Sequence, residues 1–405
     1  MNRHYLVAAG LCLLLASPAA AQTDPTGGPD PATVRVRLGP LWLNPTIELA
    51  NLGVDTNVFN EPQQDNPKQD FTLTVVPKTQ LWVRIGPSWV SGEIDEEVVW
   101  YQKYASERSA NSAFAIGWKI PLNRLLFDVG AKYLNTRDRP GFEIDERAQR
   151  FETSFRGKVE VRALSKTFFG VNATREKVEY DSHEMFQGSN LQEELGRVAT
   201  TAAVTVRQQL TPLTSVTFEG SDEQDRFELS PLRNSDSRAI SAGVAFEPLA
   251  LIKGRARVGY RDFKPLQSGV PRFEGLTASV DLSYVLLNMT KFSVQVLRDV
   301  QYSYEVIEPY YLQTGVSGSI TQQVFGPVDV VGRAGIQHLG YRDQVDAIDL
   351  GSRVDKVHAY GGGVGYHVGR DLRIGGNIDY VERTSPIPIR QYHGLVFGTS
   401  VTYGF

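Results

Sequence analysis

The sequence contains a single cysteine, Cys12, and it lies in an N-terminal stretch built like a secretory signal peptide. That stretch has a basic start at Arg3, a short apolar run, and small residues at 19–21 before Gln22. We therefore expect residues 1–21 to be a signal peptide that is removed. The mature chain would then have no cysteine, which excludes disulfides, a thiol nucleophile and a cysteine-bound metal.

Long apolar runs are also absent, since nothing after the signal approaches the ~20 residues of a transmembrane helix. The charge is nearly balanced, with 42 Lys and Arg against 46 Asp and Glu. This balance argues against nucleic acid as a partner. The histidines show no metal-binding spacing, and no nucleophile–histidine arrangement stands out. We expect no catalytic residue, no metal and no cofactor, so the chain is not expected to be an enzyme.

What the chain does have is alternation of apolar and polar residues over stretches of about 12–16 residues, longer than the ~5–6 of soluble sheets. In residues 112–121 one face carries Phe114, Ile116, Trp118 and Ile120, and the other carries small residues and a lysine. Tilted strands of a membrane barrel need ~9–11 residues in lipid plus extensions beyond it. The pattern therefore predicts a transmembrane, antiparallel, up-and-down β-barrel.

Short and long connections alternate along the chain, as periplasmic turns and extracellular loops do in bacterial barrels. Turns are predicted at 86–87, 121–123, 164–166, 211–213, 249–252, 287–289, 326–327 and 369–371. Loops are predicted at 60–70, 105–111, 137–147, 181–192, 228–235, 265–271, 305–309, 344–352 and 385–390. These connections imply about 18 strands, with both termini in the periplasm. We expect a flexible periplasmic leader at 22–40 and the barrel at 41–405, in the outer membrane of a Gram-negative-type bacterium.

The charged face of these strands is expected to line the lumen, because Arg or Lys at the lipid midplane costs ~2–4 kcal/mol. A mixed-charge wall in a barrel of this width suits polar solutes. The alternative interpretation is that these charges only neutralise one another and have no role in transport. The predicted pore-lining residues are Lys78, Arg84, Glu93, Asp95, Glu97, Lys119, Arg156, Lys158, Glu160, Arg162, Arg197, Arg207, Arg255, Arg257, Arg261, Arg373 and Asp379.

Two strands depart from simple alternation. Pro77 falls inside a predicted strand, and Glu96 falls on the apolar side of the next one. Both positions suggest β-bulges or, for Glu96, a misplaced boundary. The glycine-rich residues 361–365 are better explained as strand than as a nucleotide loop, because no strand-loop-helix context surrounds them. Glycines there would permit close approach or keep side chains out of the lumen.

The sequence ends in an alternating strand whose aromatic residues include Tyr403 and the terminal Phe405. In outer-membrane barrels the last strand closes the sheet, and its aromatic end lies in the interfacial girdle. We expect this strand to pair with the first strand, near residues 44–56. Tyr403 and Phe405 are the expected assembly signal, read by the barrel-assembly machinery.

Residues 36–59 read VRLGPLWLNPTIELANLGVDTNVF. The strand ending in Asp55, Asn57 and Phe59 resembles the start of an outer-membrane β-barrel porin family whose members often accompany exopolysaccharide biosynthesis and export proteins. In that family a D-x-N-[VI]-[FY] pattern closes the first strand. Asp55 and Asn57 suit a strand exit, since both accept backbone hydrogen bonds in turns. Val58 and Phe59 are expected to anchor the strand end at the membrane interface.

We expect the barrel to be a passive conduit. The resemblance implies that it takes part in export of an extracellular polysaccharide or associates with that machinery. Two alternatives stay open: a general or substrate-selective uptake porin, and a non-conducting structural or adhesive barrel. The expected partners are outer-membrane lipid and lipopolysaccharide, the barrel-assembly machinery and polysaccharide export components.

Overall fold

A computed structural model describes residues 28, 29, 31, 34–246, 250–287, 289–344 and 353–404. The wall is built from eighteen long strands, labelled β1 to β18. They are β1 Leu41–Asp55, β2 Asp70–Ile85, β3 Ser88–Tyr101, β4 Ser109–Pro121, β5 Leu125–Asp138, β6 Ala148–Arg162, β7 Thr167–Tyr180, β8 Arg197–Thr211 and β9 Thr214–Arg226. The others are β10 Ser235–Phe246, β11 Ile252–Pro265, β12 Phe273–Leu286, β13 Thr290–Tyr302, β14 Tyr310–Phe325, β15 Val328–Arg342, β16 Val354–Val368, β17 Leu372–Thr384 and β18 Tyr392–Tyr403.

Each strand pairs antiparallel with its neighbours in sequence, and β18 pairs with β1 to close the barrel. The closing ladder joins Ile47–Asp55 to Val396–Tyr403, with a register shift between Leu49 and Leu52. The left-handed Asn51 lies at this bulge, with φ 52°. The predicted all-β, antiparallel, eighteen-stranded barrel is confirmed, including the pairing of the last strand with the first.

Among the described strands, short and long connections alternate as predicted. We call the end with short connections the turn end and the other the loop end; which end faces the periplasm stays a prediction. The described parts of the loops contain the helix α1 (Leu191–Leu195), a small hairpin of Met185–Phe186 and Ser189–Asn190, and four short 3₁₀ turns. The 3₁₀ turns are Gln63–Asp65, Ala105–Glu107, Pro231–Arg233 and Pro388–Arg390. Within the described residues, no helix is both long and apolar enough to cross a membrane.

The bulges predicted at Pro77 and Glu96 are wrong. The β2–β3 ladder keeps one register on both sides of Pro77, with Val75 opposite Val98 and Lys78 opposite Asp95. Proline has no N–H to donate, so the ladder is interrupted there without an extra residue being inserted. Glu96 stays in register and its carboxylate accepts a hydrogen bond from the Ser112 hydroxyl at 2.5 Å.

The predicted signal peptide lies outside the described residues. Within the predicted leader, Gly28 and Pro29 are buried, and Gly28 lies against the Trp89 indole ring. Residues Val36–Leu38 form a short strand that pairs with the first residues of β1. The described part of the leader is therefore in contact with the turn end of the barrel.

Candidate functional site

The inner face of the wall is identified by ion pairs that bridge two strands lying on either side of a third. Arg207 on β8 bonds bidentately to Glu160 on β6, at 3.1 and 2.9 Å. Arg373 on β17 bonds in the same way to Asp329 on β15, at 2.8 and 2.6 Å. Side chains that reach across an intervening strand must converge, so they lie on the concave side. The opposite face exposes apolar side chains, including Phe155, Val204, Ile240 and Leu276.

Strand alternation places the predicted pore-lining residues on this inner face. Most of them are engaged with oppositely charged neighbours. Lys78 pairs with Glu93 and, at 2.8 Å, with Asp95. Further pairs are Lys158–Glu160, Arg156–Asp128, Arg197–Asp225, Arg257–Glu219, Arg261–Glu223, Arg261–Asp299 and Arg333–Asp379. The wall is therefore largely self-neutralising, and that these residues line a conducting pore stays a prediction.

Residues 361–365 lie on β16, as predicted, and the glycines leave room for two of these pairs. A side chain at Gly361 would collide with the Asp379 carboxylate, and one at Gly365 would collide with the Arg373 guanidinium. The glycines thus let Arg373 and Asp379 lie flat along the wall. Arginine can pair there without projecting far into the lumen.

The inner face of β8 to β14 carries many uncharged hydroxyl and amide groups between its charged residues. Ser283, Ser293 and Ser319 lie directly opposite one another on β12, β13 and β14. Other inward hydroxyl and amide residues on these strands are Thr201, Thr205, Thr217, Ser221, Ser237, Ser241, Thr277, Ser279, Gln295, Ser317, Thr321 and Gln323. This side of the lumen offers uncharged hydrogen-bond donors and acceptors beside its arginine–carboxylate pairs.

At the turn end, three tryptophans cluster where the leader meets the wall. Trp42 and Trp89 meet edge to face with ring centroids 5.0 Å apart, and Trp82 is 2% exposed. The Arg37 guanidinium lies 4.8 Å from the Trp42 ring centroid. Together with Gly28, these groups attach the described part of the leader to the barrel mouth.

The β5–β6 loop, residues 139–147, crosses the lumen at the loop end. Phe142 contacts two buried groups on the inner face, one on β14 and β15 and one on β16 to β18. Ile144 contacts a third buried group that includes Leu191, Leu195 and Tyr304. A loop anchored at β5 and β6 that touches β14 to β18 has to span the barrel. It obstructs the path through the loop end.

Two arginines hold this crossing loop in place. Arg383, on β17, has no exposed side-chain surface and binds the Asp145 carboxylate at 2.8 Å and the Phe142 carbonyl at 2.9 Å. Arg390 binds the Asp145 carboxylate at 3.2 Å and donates to the Glu143 carbonyl. The loop backbone and its aspartate are therefore clamped from the far wall.

Glu143 is buried where the crossing loop meets the β13–β14 connection. Its carboxylate accepts a hydrogen bond from the Ser303 hydroxyl at 2.6 Å. Burial raises the pKa of Glu143 to about 7, although the Ser303 hydrogen bond and nearby arginines act in the opposite direction. The carboxyl therefore titrates near neutral pH in this arrangement.

Arg353 connects the β13–β14 connection to β16. Its guanidinium binds Glu305 at 2.7 Å, Glu308 at 2.8 Å and Asp355 at 3.0 Å. Burial raises the pKa of Glu308 to about 7 as well. Asp355 also accepts from Arg383 at 2.5 Å, so a single buried network joins the two connections.

The family motif, through Asn57, joins the first loop to the last strand by hydrogen bonds. Asn57, 2% exposed, donates to the carbonyls of Glu61 at 2.8 Å and His393 at 2.9 Å, and its Oδ1 accepts from the Glu61 N–H. Asp55 accepts from the Asn57 N–H at 3.0 Å. The expectation that Val58 anchors the strand end at the membrane interface is wrong. Val58 is fully buried against Val99 and Tyr101, because the loop folds inward.

Phe59, also expected at the interface, is partly buried and meets Tyr104 with ring centroids 4.9 Å apart. Of the two predicted assembly residues, Tyr403 is the last residue of β18, where it is exposed and pairs with Ile47. Phe405 lies outside the described residues.

The sequence interpretation missed the residues that obstruct the loop end: Glu143, Asp145, Arg353, Arg383 and Arg390. A signal was present, since residues 142–145 read FEID and place two apolar side chains inside an otherwise polar loop. Among the described residues, no group of three or more His, Cys, Asp or Glu side chains is placed to hold a metal ion.

A closed wall of eighteen amphipathic strands, apolar outside and charged inside, defines an outer-membrane β-barrel of the porin type. The chain belongs to the family described as "Putative beta-barrel porin 2", which matches residues 30–405. The predicted membership of an outer-membrane porin family and the outer-membrane location are confirmed. No curated protein matches this sequence significantly.

Several solved outer-membrane proteins are similar in fold. A BenF-like porin from Pseudomonas fluorescens Pf-5 shares 10% identity with a TM-score of 0.48, covering 90% of this chain and 98% of that one. The outer membrane protein opdK from Pseudomonas aeruginosa shares 10% identity with a TM-score of 0.45, covering 89% and 98%. A structure titled "Bacterial polysaccharide outer membrane secretin" shares 10% identity with a TM-score of 0.33, covering 90% and 98%. The family assignment rests on the match over residues 30–405.

Proposed function

We propose that this barrel is a passive conduit for an extracellular polysaccharide. The observation that carries the proposal is the inner face of β8 to β14, where hydroxyl and amide groups lie between paired charges. Sugar hydroxyls both donate and accept hydrogen bonds, as serine, threonine and glutamine side chains do. The hydroxyl and amide groups of such a wall can bind sugar hydroxyls in place of water, and because they are spread along the wall they do not hold the polysaccharide at one tight site.

The charged part of the wall supports the same proposal. Its arginines and carboxylates are largely paired, and the pairs that join β15 to β17 lie flat over the glycines of β16. Paired charges produce a weaker field than isolated ones, so no strong ion-selective ring follows from them. An eighteen-stranded barrel is also wide enough to hold an aqueous path. We propose further that polysaccharide export components deliver the chain to the turn end.

Current through the purified barrel in planar bilayers tests this function. Neutral glucan oligosaccharides long enough to thread the barrel are expected to block the potassium chloride current, whereas glucose is not. Equal block by glucose would favour a small-solute uptake porin. No ion current, even after shortening of the crossing loop, would favour a non-conducting structural barrel.

A triple substitution in the row of Ser283, Ser293 and Ser319 tests where the sugar contacts lie. Combining Ser283→Ala, Ser293→Ala and Ser319→Ala removes three adjacent hydroxyls from the inner face. We expect the oligosaccharide block to weaken several-fold. The matched control is Thr200→Ala, which removes a hydroxyl from the outer face of β8 and is expected to leave the block unchanged. Unchanged block in the triple variant would contradict the role of this row.

A further inference from the structure

The β12 and β13 strands separate at the loop end, although both continue as strands. Their ladder runs from Leu286–Thr290 to Ala278–Arg298 and stops there. On either side the neighbouring ladders continue, pairing Phe263 with Phe273 and Tyr302 with Tyr310. The wall therefore splits between residues 273–277 and residues 299–302.

The split arises because the tip of the β13–β14 hairpin, residues 299–312, bends into the lumen. The Tyr302 hydroxyl lies 2.6 Å from the Ser235 hydroxyl on β10, and its ring lies 5.4 Å from the Arg197 guanidinium on β8. At ~4.8 Å per strand, β8 and β13 are about 24 Å apart along the wall. Only a hairpin tip that leaves the wall and enters the mouth can make both contacts.

Arg233, 5% exposed in the β9–β10 loop, holds the bent tip. It donates to the carbonyls of Ser303, Tyr304 and Pro309, the last two at 3.1 and 3.3 Å. Glu194, on α1, binds the same guanidinium at 2.6 Å. One buried arginine thus satisfies three backbone carbonyls of the tip.

The outer side of the bent tip is covered as well. Val300, Tyr310 and Leu312 form a buried cluster with Phe263 and Phe273 of the neighbouring hairpin. These aromatic and aliphatic groups fill the split between the two hairpins. The bent arrangement therefore keeps apolar contacts while it gives up main-chain pairing between β12 and β13.

We propose that this hairpin tip is the gate of the conduit, moving between the bent position and an upright one. Continuing the β12–β13 register past Ala278–Arg298 would bring Gly275 opposite Gln301 and extend the ladder to the strand ends. The ladder hydrogen bonds formed in the upright state offset the hydrogen bonds that Arg233 and Tyr302 make only in the bent state. Two packings of one segment with compensating interactions are the physical basis of a two-state switch.

This inference rests on the proposed conduit function only in requiring that the barrel pass ions. Potassium chloride current is the readout, and no sugar is involved. If oligosaccharides do not block the current, the proposed gate is unaffected. If the gate tests fail, the proposed polysaccharide function is unaffected.

Removal of the clamp is the first test. Arg233→Ala is expected to raise the potassium chloride current of the purified full-length barrel several-fold. Arg238→Ala is the matched control, because the Arg238 side chain is 83% exposed on the outer face, where it pairs with Asp222. Equal currents in the two variants, with both barrels folded on unheated gels, would overturn the proposal.

A cross-link tests the upright state directly, without relying on removal of a buried group. The variant carries Gly275→Cys and Gln301→Cys in a mature chain with no cysteine of its own. Cysteines opposite each other in a ladder fall within disulfide range. Oxidation is expected to form the bond, to raise the current several-fold, and to be reversed by reductant, whereas Gln301→Cys alone gives no response. A bond that forms without raising the current, or that never forms even when Arg233→Ala is added, would refute the gate.

Discussion

The Glu143 carboxylate and the Ser303 hydroxyl are 2.6 Å apart, although 160 residues separate them in the chain. Glu143 lies in the β5–β6 loop and Ser303 follows β13, so seven strand steps separate them along the wall. At ~4.8 Å per strand that is about 34 Å of arc. The bond therefore joins two connections from opposite sides of the lumen, and the loop end is obstructed by the barrel's own loops.

This bond predicts that low pH favours the obstructed state. Burial raises the pKa of Glu143 from its ordinary 4.5 to about 7, whereas release of the loop would return the carboxyl to water. The obstructed state therefore binds the proton more tightly, and it gains stability as pH falls from about 7 towards 4.5. Potassium chloride current should fall over that range, and Glu143 alone should change the closing equilibrium by roughly a hundredfold.

The control for the pH effect is Glu143→Gln. Glu308 acts in the same direction, since burial raises its pKa to about 7 too, so the single variant should retain part of the response. The double variant with Glu308→Gln should respond little. The charged or titratable groups described around the two carboxylates are Arg353, Arg383, Arg390, Glu305, Asp343, Tyr304 and Tyr341. Current that rises as pH falls would contradict this account.

Arg383→Met should release the crossing loop. Removing the arginine leaves Asp145 paired with Arg390 alone and Asp355 paired with Arg353 alone, and breaking buried pairs of this kind costs up to about 3–5 kcal/mol. Limited trypsin cleavage of the folded barrel within residues 137–147 should become faster, by up to about a hundredfold. Arg257→Met, at a side chain 56% exposed, is the control and should change cleavage little. Equal cleavage in both variants would show that Arg383 does not hold the loop.

Asn57→Ala should weaken the barrel seam. The substitution removes the hydrogen bonds that Asn57 makes to the backbone of Glu61 and His393, leaving buried groups unpaired at about 1–3 kcal/mol. Heating on semi-native gels should unfold this variant at lower temperature than the parent. Gln64→Ala, in the same loop but exposed, should behave like the parent. A seam unaffected by Asn57→Ala would contradict the role assigned to the motif.

Deletion of Phe405 should impair assembly before transport. The final strand closes the barrel, and its terminal aromatic is the predicted recognition signal for insertion. The deletion should lower the amount of folded barrel in the outer membrane, with transport falling only in proportion. Normal membrane levels and normal heat-modifiable folding would refute the prediction.

The wall could be predicted from the sequence because each strand repeats one local rule. Alternation along β4, with Phe114, Ile116 and Trp118 on one side, fixes both the strand and its lipid face. Short turns such as residues 86–87 then set the register of each hairpin. The charged rows follow from the same alternation, so the inner face was within reach of sequence reasoning.

The obstructed loop end was out of reach because its contacts are long-range and mostly between side chains. Nothing near Arg383 in sequence indicates that it would bind Asp145, 238 residues away. The bend of the β13–β14 tip leaves no periodic signal either, since Asp299–Tyr302 still alternates like a strand. At Pro77 the local rule itself was misleading. Proline inside a strand suggested a bulge, but cross-strand pairing on both sides of it kept the register.

The central claim is that this barrel is an ion-conducting path closed by its own loops. Single-channel current in planar bilayers tests it most directly, comparing the parent with a variant whose residues 140–146 are replaced by a short Gly-Ser turn. The account predicts small or rare openings in the parent and large, stable openings in the shortened variant. A shortened barrel that folds and inserts but passes no more current than the parent would contradict it.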